Sequence, residues 1–424
     1  MDEQRERAIL VGCGTKSGMS AEQLHASLEE LARLADTAQA QEVDRIIQWR
    51  ERLDPAWLIG RGKVEELIRT VEEKEADVVI FDQELSPSQL AHLEQRIPCK
   101  VLDRTQLILD IFAMRAKSKE GVLQVELAQL EYLLPRLTGK GKELSRLGGG
   151  IGTRGPGEKK LETDRRHIRR RIRDLKAELE RVRQHRQLHQ VRRRKMEVVQ
   201  VALVGYTNAG KSTLLNQLTG AGVTAEDQLF ATLDPTSRFC ELPSGERVLL
   251  TDTVGFIRQL PHHLVAAFRS TLEQVQEADL LLHVVDKSHP EAPQQMRAVE
   301  EVLTQLDASH IPTLTVFNKD DQAEGELLTA TGESIAITAF RQADLERLKQ
   351  SIDQTLHRVQ VRGSAEIPVS RGELISHLYQ AAHVTHSEVN GLTMKVDFHL
   401  SRRRYERMSP EVKAFVSDVM QLET

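Results

Sequence analysis

The sequence predicts an α/β chain in four parts. These are an α/β subdomain over residues 1–117, a basic antiparallel helical hairpin with a glycine-rich loop over 118–197, a phosphate-loop domain over 198–360, and a small α+β domain over 361–424. Three observations carry this division. Short apolar runs alternate with amphipathic helical stripes in the first third. Two apolar stripes of helical spacing then flank a segment dense in glycine and positive charge. Further on, the glycine loop GYTNAGKS stands between an apolar strand and an apolar helix start.

In the first part, AILVG (Ala8–Gly12) reads as a strand. Ser20 and Gln23 form a capping-box pair that opens a helix with an apolar face of Leu24, Leu28, Leu31 and Leu34. A helix over Val64–Lys74 and the strand VVIF (Val78–Phe81) follow. Ser86 and Pro87 suit the cap and first turn of a third helix. KVLD (Lys100–Asp103) is a further strand, with a helix from Gln106. The alternation predicts a mainly parallel sheet.

The second part carries Leu123, Leu127, Leu130, Leu134 and Leu137 in steps of four and three, and Ile168, Ile172, Leu175, Leu179 and Val182 in the same steps. Two such stripes joined by a loop predict an antiparallel hairpin, with Pro135 kinking or ending the first helix. Between them lies GGGIGTRGPGEKK, in which six of the ten residues from Gly148 to Gly157 are glycine. From Lys140 to Lys195 there are 20 Lys or Arg against 7 Asp or Glu, inside a chain of net charge −5. A block this basic in an acidic protein points to a polyanionic partner rather than to a merely solvated helix face. The glycine stretch lacks a G-K-[ST] ending, so it is not a second nucleotide loop. Its Arg154, Lys159 and Lys160 suit a tip that faces RNA phosphates.

The third part has strand runs VVQVALVG, RVLLTDT, LLLHVVD and PTLTVFNK. GYTNAGKS fits G-x-x-x-x-G-K-[ST] in its required strand–helix context. Gly205 and Gly210 let the backbone N–H groups of Tyr206, Thr207, Asn208 and Ala209 turn toward phosphate. Lys211 reaches the β- and γ-phosphates, and the Ser212 hydroxyl is a Mg2+ ligand. Asn208 is a candidate to hold K+ between the phosphates. In DTVG, Asp252 can hold Mg2+ through water, Thr253 and Val254 follow, and the Gly255 N–H can meet the γ-phosphate. NKDD (Asn318, Lys319, Asp320, Asp321) supplies a carboxylate, Asp321, that accepts from guanine N1–H and the exocyclic amine. Adenine lacks that donor pair. Lys319 covers the base, and ITAF places the backbone of Thr338 and Ala339, with Phe340 beside them, at guanine O6. The set reads as a guanine-nucleotide site. In the last part only a helix near Glu373–Ala382 and the strand LTMKVDFHL stand out.

The ordered set resembles the translation-factor-related P-loop GTPases. LFATLDPT (Leu229–Thr236), DTVGFIRQLPHHLVAAFRSTLE (Asp252–Glu273), GGGIGTRGPGEKKLETDRR, LIGRGKVEEL at Leu58, FDQELSPSQL at Phe81, DRTQLILDIFAMRA at Asp103 and LQVELAQL at Leu123 resemble the HflX family of ribosome-associated GTPases, within the Obg–HflX-like group. The resemblance spans nearly the whole chain and is weakest after about Ala365. It implies a P-loop GTPase domain that hydrolyses GTP with Mg2+, slowly unless stimulated by ribosomes. It makes Thr232 the switch I threonine and second protein ligand to Mg2+. Phe230, Ala231, Leu233 and Asp234 then close over the nucleotide, and Lys211, Thr232 and Gly255 act in catalysis. It implies binding to the large ribosomal subunit and its RNA in the GTP state, through the basic hairpin and glycine-rich loop, to split or rescue stalled or idle ribosomes, with hydrolysis releasing the factor. One departure from the best-known small GTPases is Phe256, which follows DTVG where a water-orienting Gln often stands.

The bulk numbers exclude other classes. At 40% hydrophobic and 29% charged, the composition is that of a globular protein. No apolar run approaches the roughly 18–20 residues of a membrane span, and MDEQRERAILVG lacks a signal-peptide core. Cys13, Cys99 and Cys240 are scattered, as expected of free thiols in a reducing cytoplasm. The 15 histidines, including His377, His383 and His386, show no metal spacing. A cytoplasmic monomer is expected, with peripheral attachment at a membrane as the secondary expectation. The rival readings are a GTP-timed switch acting on a protein partner such as a membrane protease, and an ATP-driven RNA-remodelling enzyme. A protein-only switch has little use for so basic a hairpin.

Overall fold

The computed structural model describes residues 5–15, 18, 20–137, 156–195, 198–220, 229–258, 274–323, 328–330, 332–358, 360–401, 405 and 408–421. Contacts divide the chain into two units. The first holds Met1–Val182, with Asp227–Asp234 and Arg258–Arg269. The second holds Arg183–Glu226, Pro235–Ile257 and Ser270–Thr424.

In the first unit the apolar run at Ala8 lies in β1 (Glu6–Thr15), flanked by β2 (Ala40–Arg50) and β3 (Val78–Phe81), with β4 (Lys100–Asp103) outside β3. All pairings are parallel. The helices are α1 (Ala21–Thr37), α2 (Arg61–Glu73), α3 (Pro87–Arg96) and α4 (Arg104–Arg115). Full capping boxes open α1 at Ser20–Gln23 and α3 at Ser86–Gln89, and a cap of this kind contributes about 1 kcal/mol. The α1 stripe Leu24, Leu28, Leu31 and Leu34 is wholly buried. β2 was not anticipated. It is an edge strand whose residues are mostly half-buried, AQEVDRIIQWR, so it has neither the continuous apolar run of a central parallel strand nor a clean alternation.

The two helices of the basic segment are α5 (Lys119–Arg136) and α6 (Pro156–Lys195). Pro135 stands in the last turn of α5, which ends one residue later. The two stripes meet: Leu123 and Leu127 are buried with Ile172 and Leu175, and Leu130, Leu134, Ile168, Leu179 and Val182 pack around them. Arg171 forks onto Glu126 at 2.6 and 2.8 Å, and Lys176 pairs with Glu131 at 2.8 Å. Residues 138–155, with most of the glycine-rich stretch and Arg154, lie outside the described residues, and so do the side chains of Lys159 and Lys160.

The second unit contains a six-stranded sheet. Its elements are β5 (Val199–Gly205), α7 (Lys211–Thr219), β6 (Thr236–Glu241), β7 (Arg247–Asp252), β8 (Leu280–Asp286), α8 (Ala292–Gln305), β9 (Thr313–Asn318), β10 (Ser334–Ala336) and α9 (Gln342–Arg358). The order is β10-β9-β8-β5-β7-β6, parallel except for β6 against β7. Central strands buried on both faces read as continuous apolar runs, which is why β5, β7, β8 and β9 were legible and the edges were not. The remaining segment forms an antiparallel sheet, β12-β13-β11-β14, from β11 (Gln360–Pro368), β12 (His383–Asn390), β13 (Thr393–Ser401) and β14 (Val416–Gln421). It carries the helices α10 (Gly372–Ala381) and α11 (Pro410–Lys413). Among the described residues, no helix is long and apolar enough to cross a membrane.

His283, in the middle of β8, is only 4% exposed, and burial pushes its pKa down to about 4, helped by Lys211. The folded chain therefore binds fewer protons at this site than the unfolded chain between pH 6.5 and 4, so stability is lost as the pH drops from 6.5 toward 4. The loss at this one site is up to about 3 kcal/mol. His283→Leu should flatten the acid limb of a denaturation curve taken from pH 7 to 4; an unchanged limb would mean that His283 does not titrate there.

Candidate functional site

The strand ends of the second sheet position the site, because in an open parallel sheet the loops after the strands gather at one edge. After β5 the chain turns through Tyr206, Thr207, Asn208, Ala209 and Gly210 into α7. Gly210 has φ +94° and caps α7, and a Cβ there would lie 2.4 Å from Asn318 Nδ2. Glycine is required on both counts. Lys211 is buried at the helix start, and its ammonium donates to the carbonyls of Gly205 (3.1 Å) and Tyr206 (2.8 Å). Desolvation lowers its pKa to about 8 against the pull of Asp252.

Asp252 ends β7, wholly buried, and accepts from the Ser212 hydroxyl at 2.6 Å. The Thr253 hydroxyl donates to the Leu203 carbonyl at 2.7 Å, and Val254 is buried. Phe256 is 2% exposed, so its ring belongs to the interior. Its backbone pairs with the loop: Thr207 N–H donates to Phe256 O at 2.7 Å and Phe256 N–H to Gly205 O at 3.1 Å. A Cβ on Gly255 would meet Thr207 Cα at 2.9 Å and Lys211 Nζ at 3.0 Å. Ser212 and Asp252 thus form a compact all-oxygen set at a helix N-terminus, which fits Mg2+, a hard cation that keeps several waters and takes few protein ligands.

After β9, Asn318 is 2% exposed and ties two loops together. Its Nδ2 donates to Ala209 O (3.0 Å), and its Oδ1 accepts from Ala339 N–H (3.3 Å). Lys319 adopts φ +60° and reaches Asp286 (2.7 Å) and the Asn208 carbonyl (3.2 Å). Asp320 pairs with Lys287, and Asp321 accepts from the Thr338 hydroxyl (3.1 Å). Phe340 is 77% exposed beside Ala339. The sequence reading brought these groups into one neighbourhood but missed two that hold them. Asp286, at the end of β8, accepts from Lys319 and from Ser288. Asp344 accepts from Thr338 N–H at 2.9 Å, a bond that, with Arg347, keeps its carboxyl below the usual range. The signal for Asp286 was present: like Asp252 and Asn318, it is the polar residue that ends an apolar strand.

The segment expected to be switch I belongs to the first unit. Leu229, Phe230 and Leu233 are buried, with Phe230 at φ +55° and its ring edge-on to Phe112 at 4.7 Å. Ala231 and Thr232 are half-buried. Asp234 accepts from the backbone N–H groups of Lys117 (2.9 Å) and Ser118 (2.7 Å) and from the Ser118 hydroxyl, at the N-terminus of α5.

A mostly parallel sheet whose strand ends gather a G-x-x-x-x-G-K-S loop, the start of D-x-x-G and an N-K-x-D turn defines a P-loop domain of the GTPase class. Family models agree with this along the chain: a GTP-binding GTPase N-terminal region matches residues 25–113, a GTP-binding GTPase middle region 115–193, and a 50S ribosome-binding GTPase domain 200–319. The GTPase HflX of Alkalihalophilus pseudofirmus is 53% identical over 88% of this chain and 88% of its own length. That of Caldanaerobacter subterraneus is 49% identical over 93% and 91%, and that of Escherichia coli 44% over 83% and 84%. The chain belongs to the HflX family of GTPases.

Proposed function

We propose that this chain hydrolyses GTP with Mg2+ and binds the large ribosomal subunit in its GTP state, splitting or rescuing stalled or idle ribosomes and leaving on hydrolysis. The observation that carries the nucleotide half is the pair of hydrogen bonds by which the Asn318 amide donates to Ala209 O and accepts from Ala339 N–H, which joins the phosphate loop to both base-reading loops. Lys211 swings from the Gly205 and Tyr206 carbonyls onto the β- and γ-phosphates. The N–H groups of the loop and of Gly255 face the phosphate oxygens, and Ser212 would hold the metal. Mg2+, when bound, neutralises charge on the β- and γ-phosphates. Asp321 reads guanine, the backbone of Thr338 and Ala339 meets its O6, and Lys319, steadied by Asp286, covers its face.

The ribosomal half rests on α6, where Arg166, Arg169, Arg170 and Arg173 are exposed on a helix whose apolar stripe is already covered by α5. Phosphate-rich RNA is the partner that such a surface suits. Co-sedimentation with separated ribosomal subunits tests it: binding to the large subunit with a non-hydrolysable GTP analogue, and release with GDP, is the expected result. Equal pelleting in both nucleotide states, or none, would overturn it and favour a switch acting on a protein partner.

A second measurement addresses the glycine-rich tip. Replacing Arg154, Lys159 and Lys160 together by Ala should leave GTP affinity of the isolated chain unchanged. Subunit binding should weaken, and its log–log salt slope should flatten by about two to three units. Unaltered binding at every salt concentration would make the tip a passive connector.

A further inference from the structure

Phe256 occupies the place where many GTPases carry a glutamine that orients water, and its ring is buried. The group that does this work must come from elsewhere. Thr207, in the middle of the phosphate loop, is 6% exposed, and its hydroxyl is buried with no hydrogen-bond partner among the described residues. A buried hydroxyl without a partner is destabilising, and an isosteric methyl would relieve that penalty. Its position gives the hydroxyl a use. Thr207 N–H is bonded to the Phe256 carbonyl. The point where Gly255 would carry a Cβ lies 2.7 Å from Thr207 Cγ2 and 3.0 Å from Lys211 Nζ. Thr207 therefore stands beside both the ammonium that seeks the γ-phosphate and the glycine N–H that caps it. Of the side chains there, Lys211 is a cation that cannot accept from water in its charged form, and Ser212 is bonded to Asp252. The methyl of Thr207 now faces Gly255, and one χ1 step of roughly 120° brings the hydroxyl to the place the methyl holds.

We propose that Thr207 is a catalytic residue of GTP hydrolysis, its hydroxyl holding the attacking water by a hydrogen bond beside the γ-phosphate. The inference rests on the proposed GTPase reaction. Water oxygen bonds to the γ-phosphorus, the bond from that phosphorus to the β–γ bridging oxygen breaks, GDP leaves, and the proton departs with the phosphate. Thr207 exchanges only hydrogen bonds and keeps no proton.

The test uses the full chain with Thr207→Val, Thr207→Ala and Thr207→Ser, read by single-turnover hydrolysis, by GDP and GDP–aluminium fluoride affinities, and by thermal melting. Thr207→Val should melt no lower than the wild type and bind GDP equally well, yet hydrolyse GTP roughly 10²-fold more slowly. It should also lose affinity for GDP–aluminium fluoride. Thr207→Ala should share the kinetic defect, and Thr207→Ser should recover most of the rate. A wild-type rate in Thr207→Val or Thr207→Ala overturns the assignment, and so does a loss of GDP affinity that matches the loss of rate, which would mark a structural role. A wild-type chain that fails to hydrolyse GTP would overturn the GTPase reading itself, whereas a normal rate in the valine variant removes Thr207 alone.

Discussion

Lys211→Ala is expected to abolish GTP turnover, with kcat/KM down by at least about 10³-fold, and to leave the ligand-free chain no less stable than before. The two effects have one cause. The Lys211 ammonium is buried, and its pKa is held near 8 by desolvation. The folded pKa is below the unfolded one, so at neutral pH the empty fold carries an unfavourable charge, by about 3 kcal/mol. That penalty is present in full below pH 8 and is relieved as pH rises toward 10.5. Phosphate oxygens reverse it, since a buried ammonium that meets two anionic groups gains what it lacked. Removing a preorganised group from a developing charge alone accounts for roughly 10²–10³ in rate, and lost binding adds to this. Turnover assays and melting curves with and without GTP·Mg2+ check it. Wild-type turnover in the alanine variant would remove Lys211 from the phosphates. A lower melting temperature without nucleotide would mean that its bonds to the Gly205 and Tyr206 carbonyls outweigh its desolvation.

What the sequence made legible follows from where each residue sits. The phosphate loop and N-K-x-D could be read because their chemistry fixes residue types at fixed spacing beside strands buried on both faces. Asp344 could not, because its task is to hold one backbone N–H, which many polar residues do at a helix start. The edge strands β2 and β6 were missed because half-exposed strands tolerate polar residues on both faces. Three strands of the last sheet were missed for a related reason: HVTHSEVN and QVRGSAEIP interleave charge and glycine with few apolar side chains, and only pairing around Val396, Phe398 and Leu400 gives them a core. Phe256 illustrates the opposite case. The sequence told that it could not orient water, but not that its backbone would be tied to the phosphate loop, or that Thr207 beside it would carry a buried hydroxyl with no partner among the described residues. The bonds from Asp234 to Ser118 join residues more than a hundred positions apart, a separation at which no local pattern can announce a contact.

Asp321→Asn should convert guanine preference into xanthine preference. The carboxylate offers two acceptors, which suit guanine N1–H and its exocyclic amine; xanthine replaces that amine by a carbonyl. The Thr338 hydroxyl already donates to one Asp321 oxygen at 3.1 Å. In the asparagine variant that bond keeps the amide oxygen toward Thr338 and turns the amide N–H2 toward the base. There it meets a second donor in GTP and an acceptor in XTP. A site left with an unpaired buried polar group discriminates by up to roughly 10⁴–10⁵-fold. Because Asp321 is exposed in this structure, the expected fall in GTP affinity is smaller, about 10²–10³-fold, with a comparable gain for XTP. The loop should survive the change, since its ion pairs run through its neighbours: Asp320 to Lys287, and Lys319 to Asp286. GTP and XTP affinities measured side by side decide the matter. If the variant still prefers GTP and melts like the wild type, the base is read by other groups, and the Thr338–Asp321 bond serves only to shape the loop.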